Sequence, residues 1–364
     1  MNNELLISYL ISSRKDDGSY KFSKSSESSL LSSSFGVMTD FLIRGKMGLR
    51  DSREDLIRYI ADGIDLSKNR ISDPLLSPQA LVGNHKIDYL EGQITYFSLV
   101  ALDVLGYHDS DINFSKIYFQ DQNQLEKWFN SLDLSRFWYE SNKIMFVLYF
   151  LFYKCYYGSE KSNVSKDSIY LLIELLNRAQ DKNTGFWGTN LNGNNLYDGC
   201  FGTAHLLLFY DYLDIEIPFI KKIIDNTIRL HNSNGLMRRK NGGACEDYDA
   251  IEIYLRCLNQ TDYRKSEISS IILKMRDVIN NSQNSDGGFS YKIEESKINN
   301  LIKSRIFPQY YLYSGWKLME TATYKSDMWA TWFRTLSIKV IDYLLEGETD
   351  FNSYWLPAWG YIKK

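Results

Sequence analysis

The sequence predicts an all-α protein whose helices form an (α/α)6 toroid, a ring of six concentric helix pairs. Two observations predict this fold. Helical stretches with two different hydrophobic patterns alternate along the chain, and a short glycine-containing loop recurs between them. We expect residues 1–364 to form a single domain, because a closed ring of repeats is one folding unit even at this length.

One set of stretches is amphipathic and predicts the outer helices of the ring. Between residues 167 and 180, for example, Leu171, Leu172, Leu175 and Leu176 form one apolar stripe with a period of about 3.6 residues. Such a helix buries one face and shows the other to water. The predicted outer helices span residues 3–12, 53–66, 124–131, 167–180, 218–231 and 264–281.

The other set is apolar on nearly every side, which predicts helices that are buried all round. These inner helices span residues 28–44, 91–106, 141–157, 199–213, 246–259 and 326–345. A closed ring buries all of them, whereas an open solenoid leaves the last one exposed. The pattern is interrupted at residues 66–90 and 290–323, where we expect long loops.

The recurring loop carries a glycine that follows a polar residue, with an apolar or aromatic residue one or two positions later. Gly18, Gly185, Gly235 and Gly287 occupy this position. Glycine adopts the positive φ that a tight reversal after a helix requires. The apolar side chain after each turn is then expected to fold back onto the helices that the loop joins.

Composition excludes several other classes of protein. A net charge of −3 gives no electrostatic signature for nucleic acid. The most apolar run, Ile144 to Tyr153, is about half of the ~20 residues that a membrane-spanning helix needs. No secretory signal begins the chain and four cysteines make no disulfide scaffold, so we expect a cytoplasmic protein. Walker A, GxGxxG and nucleophile-elbow motifs are absent from the sequence.

Acidic residues mark the predicted starts of the inner helices. In such a ring the inner helices run parallel, so their N-termini meet at one mouth. Acids at helix starts are favoured by capping and by the helix dipole, and this role suffices for Glu27, Asp88 and Glu140. The full set is Glu27, Asp88, Glu91, Glu140, Asp198, Glu246, Asp247, Asp249 and Asp327.

Two of these starts carry more than a cap. Asp198 and His205 lie at the head of one inner helix, and Glu246, Asp247 and Asp249 at the head of the next. Three carboxylates within four residues repel one another, so at least one is expected to have a raised pKa if it is enclosed. A protonated, enclosed acid is a good proton donor. We therefore predict that these five residues supply the catalytic groups.

The last inner helix adds candidate substrate-binding residues. Trp329 and Phe333 are expected to face the centre of the ring, and Arg334 brings a positive charge into an apolar helix. A buried arginine needs a partner, which is either one of the carboxylates at the mouth or an anionic group of a ligand. The predicted substrate-binding residues are Tyr248, Trp329, Trp332, Arg334, Tyr96 and Trp187.

The loops resemble the QW repeats of the terpene cyclase and protein prenyltransferase superfamily, most closely at Gln180…Gly185-Phe186-Trp187. Asp247-Tyr248-Asp249-Ala250 is similar to the DxDD motif of class II terpene cyclases, whose middle aspartate protonates an alkene. The sequence departs from the motif at Ala250, and those cyclases usually build their site between two helical domains. The resemblance implies an enzyme of the cyclase or isomerase type, or a lyase, that acts on an isoprenoid-type substrate by acid catalysis.

The metal content and the substrate class stay open at this stage. Asp198-Gly199-Cys200 resembles the Asp-x-Cys of zinc-binding prenyltransferase subunits, and Cys245 heads the next inner helix. The third ligand of that family is missing, so we expect no cofactor, with zinc held by Cys200, Cys245 and Asp198 as the alternative. Two other functions compete with isoprenoid chemistry. One is a carbohydrate-active toroid acting on a glycan, and the other is a non-catalytic toroid that binds a ligand or partner.

Overall fold

The computed structural model describes residues 1–75, 87–109, 112–158, 163–237, 243–293, 310–312, 320–322, 324–347 and 351–362. With helices numbered in chain order, the outer helices are α1 (Asn3–Ser13), α4 (Arg53–Ala61), α6 (Gln122–Asn130), α8 (Asn163–Ala179), α10 (Ile220–Arg229) and α12 (Lys265–Asn281). The inner helices are α2 (Leu30–Arg44), α5 (Ile87–Val104), α7 (Phe137–Tyr157), α9 (Asn195–Tyr212), α11 (Ala244–Leu258) and α13 (Met328–Glu346).

The remaining elements are short. Helix α3 spans Lys46–Leu49, and single 3-10 turns lie at Arg50–Ser52, Phe114–Ile117 and Leu134–Arg136. Two antiparallel strand pairs are described, β1 (Ile64–Asp65) with β2 (Arg70–Ile71), and β3 (Tyr310–Leu312) with β4 (Glu320–Ala322). In the second pair Tyr310 lies opposite Ala322.

Each of the twelve predicted helical stretches coincides with a helix, which confirms the all-α fold. The largest differences lie at helix ends. The stretch 53–66 ends as a helix at Ala61, because β1 begins at Ile64, and α5 begins at Ile87 instead of residue 91. The expected long loop at 66–90 lies partly, and that at 290–323 mostly, outside the described residues.

The inner helices close into a ring. Each packs on the next in chain order, from α2 through α5, α7, α9 and α11 to α13, and α13 packs back on α2. Contacts also show that α9, α11 and α13 run in the same direction. Arg256, near the end of α11, pairs with Asp211 near the end of α9, whereas Asp247 in the first turn of α11 pairs with Arg334 in the first half of α13. The predicted (α/α)6 toroid is therefore confirmed.

The recurring loop has the predicted conformation at all four positions, with φ of +82° at Gly18, +78° at Gly185, +89° at Gly235 and +92° at Gly287. At Gly287 the chain also passes so close to α1 that a Cβ atom would lie 1.9 Å from the carbonyl oxygen of Leu5. A side chain is thus excluded there by two independent causes. The apolar residues that follow the turns, Tyr20, Phe186 and Phe289 among them, are fully buried.

The segment 351–362 covers the C-terminal ends of the inner helices. Asn352 donates through Nδ2 to the Leu42 carbonyl at 3.3 Å, and Arg256 donates through Nη2 to the Tyr361 carbonyl at 2.6 Å. Trp359 enters the ring and packs against side chains of α5, α9, α11 and α13. The segment therefore closes the end of the ring at which the inner helices have their C-termini.

The buried apolar side chains of the described residues form one continuous core. The apolar run from Ile144 to Tyr153 lies in α7 and is buried throughout, as the sequence predicts. Within the described ranges, no helix is both long enough and apolar enough to cross a bilayer.

Candidate functional site

The three acids at the head of α11 point in different directions. Consecutive residues of an α-helix are turned by about 100°, so side chains two positions apart lie on nearly opposite sides. Asp247 and Asp249 are both fully buried, but they meet different neighbours. Their chemistry is therefore set by the helices that pack against each side of α11.

Asp247 forms an ion pair with Arg334. Its Oδ2 accepts from Nη1 of Arg334 at 2.6 Å, and its Oδ1 accepts from the backbone N–H of Met237 at 2.8 Å. Both side chains of the pair are inaccessible to solvent. Burial raises the pKa of Asp247, while Arg334 and the Met237 N–H act in the opposite direction. Of the two partners expected for Arg334, a carboxylate of the mouth or an anionic ligand group, the structure shows the carboxylate.

Asp249 lies on the other side of α11 and has no such partner. Neither of its carboxyl oxygens accepts or donates a hydrogen bond within the described part of the chain. Burial raises the pKa of Asp249 well above its ordinary value of 3.8, and the nearby carboxylates of Glu246, Glu252 and Asp247 raise it further. The raised pKa favours the protonated form of Asp249.

His205 of α9 is the polar group beside Asp249, with its Nε2 atom 3.7 Å from Oδ1. Although that distance would suit an ion pair, burial lowers the pKa of His205 to about 3, so both groups are uncharged. The Ser141 hydroxyl donates to the Trp138 carbonyl at 3.0 Å and lies 2.8 Å from Nδ1 of His205. One tautomer that fits these contacts has Nδ1–H donating to the Ser141 oxygen, which leaves Nε2 without a proton and facing the acid.

Aromatic side chains surround this pair toward the centre of the ring. The ring of Trp359 lies 5.3 Å from that of His205, 5.0 Å from Phe333 and 6.1 Å from Tyr248. Trp329 continues the cluster, at 4.9 Å from Phe333. The structure thus places the Asp249–His205 pair beside a cluster of aromatic rings, which reaches it through the contact of Trp359 with His205.

The other predicted catalytic residues are engaged elsewhere or lie at the periphery. Glu246 accepts from the Tyr291 hydroxyl at 2.6 Å and from the Cys245 thiol at 3.3 Å. Asp198 lies in the first turn of α9 and is partly exposed. The structure brings Asp249 and His205 together, and it gives Asp247 and Glu246 separate partners.

Some of the predicted substrate-binding residues lie within the ring, and Trp187 lies outside it. Tyr248 packs at the centre, but its hydroxyl donates to Glu252 at 2.7 Å. Tyr96 packs among Phe97, Phe146 and Tyr149 within the ring, and Trp332 packs near Tyr354 of the C-terminal segment. Trp187 lies between α8 and α9, where its Nε1 donates to the Leu176 carbonyl at 2.8 Å and its ring packs on Tyr210.

The two cysteines considered for zinc contact different groups. The Sγ of Cys200 lies 3.9 Å from the Thr227 hydroxyl of α10, whereas Cys245 contacts Glu246 and Tyr291. Burial raises the pKa of both thiols, so the thiolate form that binds zinc is disfavoured. Among the residues that the structure describes, no three His, Cys, Asp or Glu side chains are grouped to hold a metal ion.

Two residues of the site, Trp359 and Ser141, were not predicted from the sequence. Trp359 belongs to a segment without helical periodicity, and the only sign of it is a run of aromatic residues after the last helix, Tyr354, Trp355, Trp359 and Tyr361. Ser141 is one of many serines, and its role depends on the packing of α7 against α9. Neither position is marked by local spacing.

Solved structures of the type II terpene cyclase MstE from Scytonema are similar to this chain in fold. A variant of MstE in complex with geranylgeranyl dihydroxybenzoate is 12% identical, with a TM-score of 0.49 over 94% of this chain and 95% of that chain. A variant in complex with merosterolic acid A is 11% identical, with a TM-score of 0.49 over 95% of both chains. Apo MstE is 10% identical, with a TM-score of 0.46 over 95% of this chain and 96% of that chain.

No protein-family model and no curated protein sequence matches this chain. Identities of 10–12% extend the likeness to MstE no further than the fold. The function of the site is therefore inferred from the residues of this chain. They place one enclosed acid, Asp249, beside the imidazole of His205 and near aromatic rings.

Proposed function

We propose that this chain is a terpene cyclase-like enzyme in which Asp249 protonates an alkene of an isoprenoid-type substrate. The observation that carries the proposal is the state of Asp249, which is fully buried, has no hydrogen-bond partner among the described residues and has a raised pKa. A proton held by an acid without an acceptor is available to a weak base such as a carbon–carbon double bond.

The surroundings suit the charge that this step creates. Transfer of the Asp249 proton to one alkene carbon leaves a carbocation on the other, and the carboxylate remains at α11. Ring faces stabilise a nearby cation, and Trp359, Phe333 and Trp329 are within reach of the same region. The π-electrons of a second double bond of the substrate then attack the cation and close a ring, which moves the positive charge to another carbon. Loss of a proton from a carbon beside that cation to solvent gives a cyclic isomer of the substrate, and the Asp249 carboxylate takes up a proton from solvent before the next turnover.

His205 supports the acid by staying neutral. If the imidazole took the proton of Asp249, the result would be a buried ion pair, and burial disfavours both of its charges. The proton therefore remains on the acid until substrate arrives. Ser141 keeps the unprotonated Nε2 of His205 toward Asp249, where it can accept the acid's hydrogen bond when the site tightens around a ligand.

The head of α11 favours this proposal over a carbohydrate-active toroid. Glycoside hydrolysis uses two carboxyl groups with separate roles. Here Asp247 is paired with Arg334, Glu246 accepts from Tyr291, and Glu252 accepts from Tyr248 and Arg256. One carboxyl at this helix, that of Asp249, lacks a partner, and a single proton donor is what alkene protonation requires.

The test is cyclisation without added metal. Purified protein is incubated with squalene, geranylgeranyl diphosphate and geranylgeranyl dihydroxybenzoate, and products are analysed by mass spectrometry for cyclic isomers of unchanged mass. In D2O each product of an initiating protonation gains one non-exchangeable deuterium. We expect Asp249→Asn to lower the rate by at least about 10³-fold, since it removes the proton donor.

Glu246→Gln is the comparison variant, because it keeps the proton donor and removes only a neighbouring carboxylate that raises the pKa of Asp249. We expect its rate to stay within about tenfold of wild type. Full activity of Asp249→Asn, or products without deuterium, would contradict the proposal. Cleavage of a glycan panel by wild type but not by Asp249→Asn would favour the carbohydrate-active alternative instead.

A further inference from the structure

A pocket lies at the end of the ring opposite the mouth, between the C-terminal ends of α2, α5 and α7 and the C-terminal segment. Its volume is about 400 Å³. Pockets that take small organic ligands begin at about 300 Å³, so this one admits a compact molecule. Asp103, His108, Tyr157, Arg53, Tyr354 and Trp355 contribute to its lining. None of these residues belongs to the site at the head of α11.

Asp103 supplies a carboxyl group to this pocket, and its side chain is 2% exposed. The Tyr157 hydroxyl donates to its Oδ1, and Nδ1 of His108 lies 3.7 Å from the same oxygen. Burial raises the pKa of Asp103 to about 6, although the Tyr157 hydrogen bond acts in the opposite direction. Burial also lowers the pKa of His108, which favours the neutral form of the imidazole.

The positive side chains around the pocket do not neutralise Asp103. Arg53 of α4 donates through Nε to the Leu105 carbonyl at 2.7 Å and pairs with Glu54. Lys46 of α3 lies at the lining and is exposed. Within the described residues, Asp103 forms no ion pair with a lysine or arginine. Above pH 6 the pocket therefore encloses a carboxylate that, among the described residues, pairs with no lysine or arginine.

Two further features favour a cation here. Helices α2, α5 and α7 all end at this face, and the C-terminal end of a helix dipole is its negative end. Aromatic rings form the walls, with His108 stacked on Tyr157 at 3.7 Å between centroids and Trp355 70% exposed at the rim. Aromatic faces attract organic cations and cover their apolar parts. An exposed tryptophan beside a buried carboxylate is the arrangement that such a ligand needs.

We propose that this pocket is a binding site for a small organic ammonium ion, with Asp103 on the charged group and Tyr157, His108 and Trp355 against the apolar body. The assignment is independent of the chemistry at Asp249. It predicts selectivity for a positive charge, since a neutral molecule of the same shape fills the same volume but leaves the Asp103 carboxylate uncompensated.

The experiment compares benzylammonium with benzyl alcohol by isothermal titration calorimetry at pH 8. We expect benzylammonium to bind wild type at least tenfold more tightly than the alcohol, and Asp103→Asn to abolish the difference. An ammonium ion could also enter the aromatic centre of the ring, so Asp249→Asn is included and should bind benzylammonium like wild type. Equal affinities for the two probes, or loss of binding in Asp249→Asn with retention in Asp103→Asn, would overturn the assignment.

The pH profile gives a second measurement that needs no Asp103 variant. Binding requires the ionised carboxylate, so with a pKa of about 6 the affinity for benzylammonium should fall about tenfold between pH 8 and pH 5. Tyr157→Phe keeps the ring and removes the hydrogen bond that lowers the pKa of Asp103, so the midpoint of the profile should move to higher pH. A profile that is flat from pH 8 to pH 5 would refute the proposal even if Asp103→Asn fails to fold.

Discussion

The carboxyl group of Asp249 makes a quantitative prediction for the stability of the protein as a function of pH. Asparagine has nearly the same shape and does not ionise, so Asp249→Asn removes one titration and leaves the packing almost unchanged. In the folded protein, burial and the neighbouring carboxylates raise the pKa of Asp249 well above 3.8. In the unfolded chain the same group titrates near ~3.9.

Between those two pKa values the native protein keeps a proton that the unfolded chain has lost. Unfolding then releases a proton, and the free energy of unfolding falls by about 1.4 kcal/mol for each pH unit. The contribution of the raised pKa is complete below the unfolded value and is lost as the pH rises toward the folded one. Asp249→Asn has no such loss, so its stability relative to wild type should increase by about 1.4 kcal/mol per pH unit above pH 4 and then level off.

Urea unfolding followed by circular dichroism at pH 4.5, 5.5, 6.5 and 7.5 measures this difference. His205 stays neutral across the whole range, because its pKa is lowered to about 3, and it cancels from the comparison. Asp121→Asn is the control, since Asp121 is an exposed N-cap of α6 and asparagine caps a helix equally well. A constant difference between wild type and Asp249→Asn at the four pH values would show that Asp249 titrates normally, and the proposed proton donor would lose its basis.

Two further predictions concern what holds the ring together. Arg334→Met should lower the free energy of unfolding in urea by about 3–5 kcal/mol, because it leaves the Asp247 carboxylate buried without its charge partner. Adding Asp247→Asn to this variant should recover part of the lost stability. A decrease below about 1 kcal/mol would show that the pair is not buried as described. Gly287→Ala should lower the melting temperature more than Gly347→Ala, since both have positive φ but only Gly287 lies against the Leu5 carbonyl. Equal shifts for the two alanine variants would mean that this loop is not packed on α1.

The fold was predictable because its signals are local and repeated. The stripe of leucines in α8 shows which face is buried without reference to any other helix, and the continuous apolar pattern of α7 shows that no face is exposed. Gly185 and Gly235 indicate the turns directly, because glycine readily adopts the positive φ that these turns require. The short pair of strands that begins at Ile64 could not be predicted in this way, since two-residue strands are too short to show a period.

The location of the site could be predicted from the sequence, but the roles of its individual residues could not. The sequence indicates that the head of α11 is acidic and enclosed, but it does not divide the roles of Asp247 and Asp249. That division depends on Arg334, which lies 87 residues further along the chain and reaches one side of α11, and on His205, which reaches the other side from α9. The spacing of residues within one helix does not show which charged residue of a distant helix will pair with it. Trp359 escaped for the same reason.

The division between the two aspartates has a physical cause that bears on function. An ionised Asp247 must be balanced by Arg334 because both are excluded from water, and this pair holds α11 against α13. With that charge fixed two positions away, ionisation of Asp249 would place a second carboxylate in the same enclosed region, where Glu246 and Glu252 also raise its pKa. The ion pair at Asp247 therefore stabilises the ring and at the same time helps to keep the proton on Asp249. Replacing Asp247 by asparagine is expected to weaken the fold and also to lower the pKa of Asp249, so its effect on reaction rate should change with pH, whereas a defect in folding alone would reduce the rate equally at every pH.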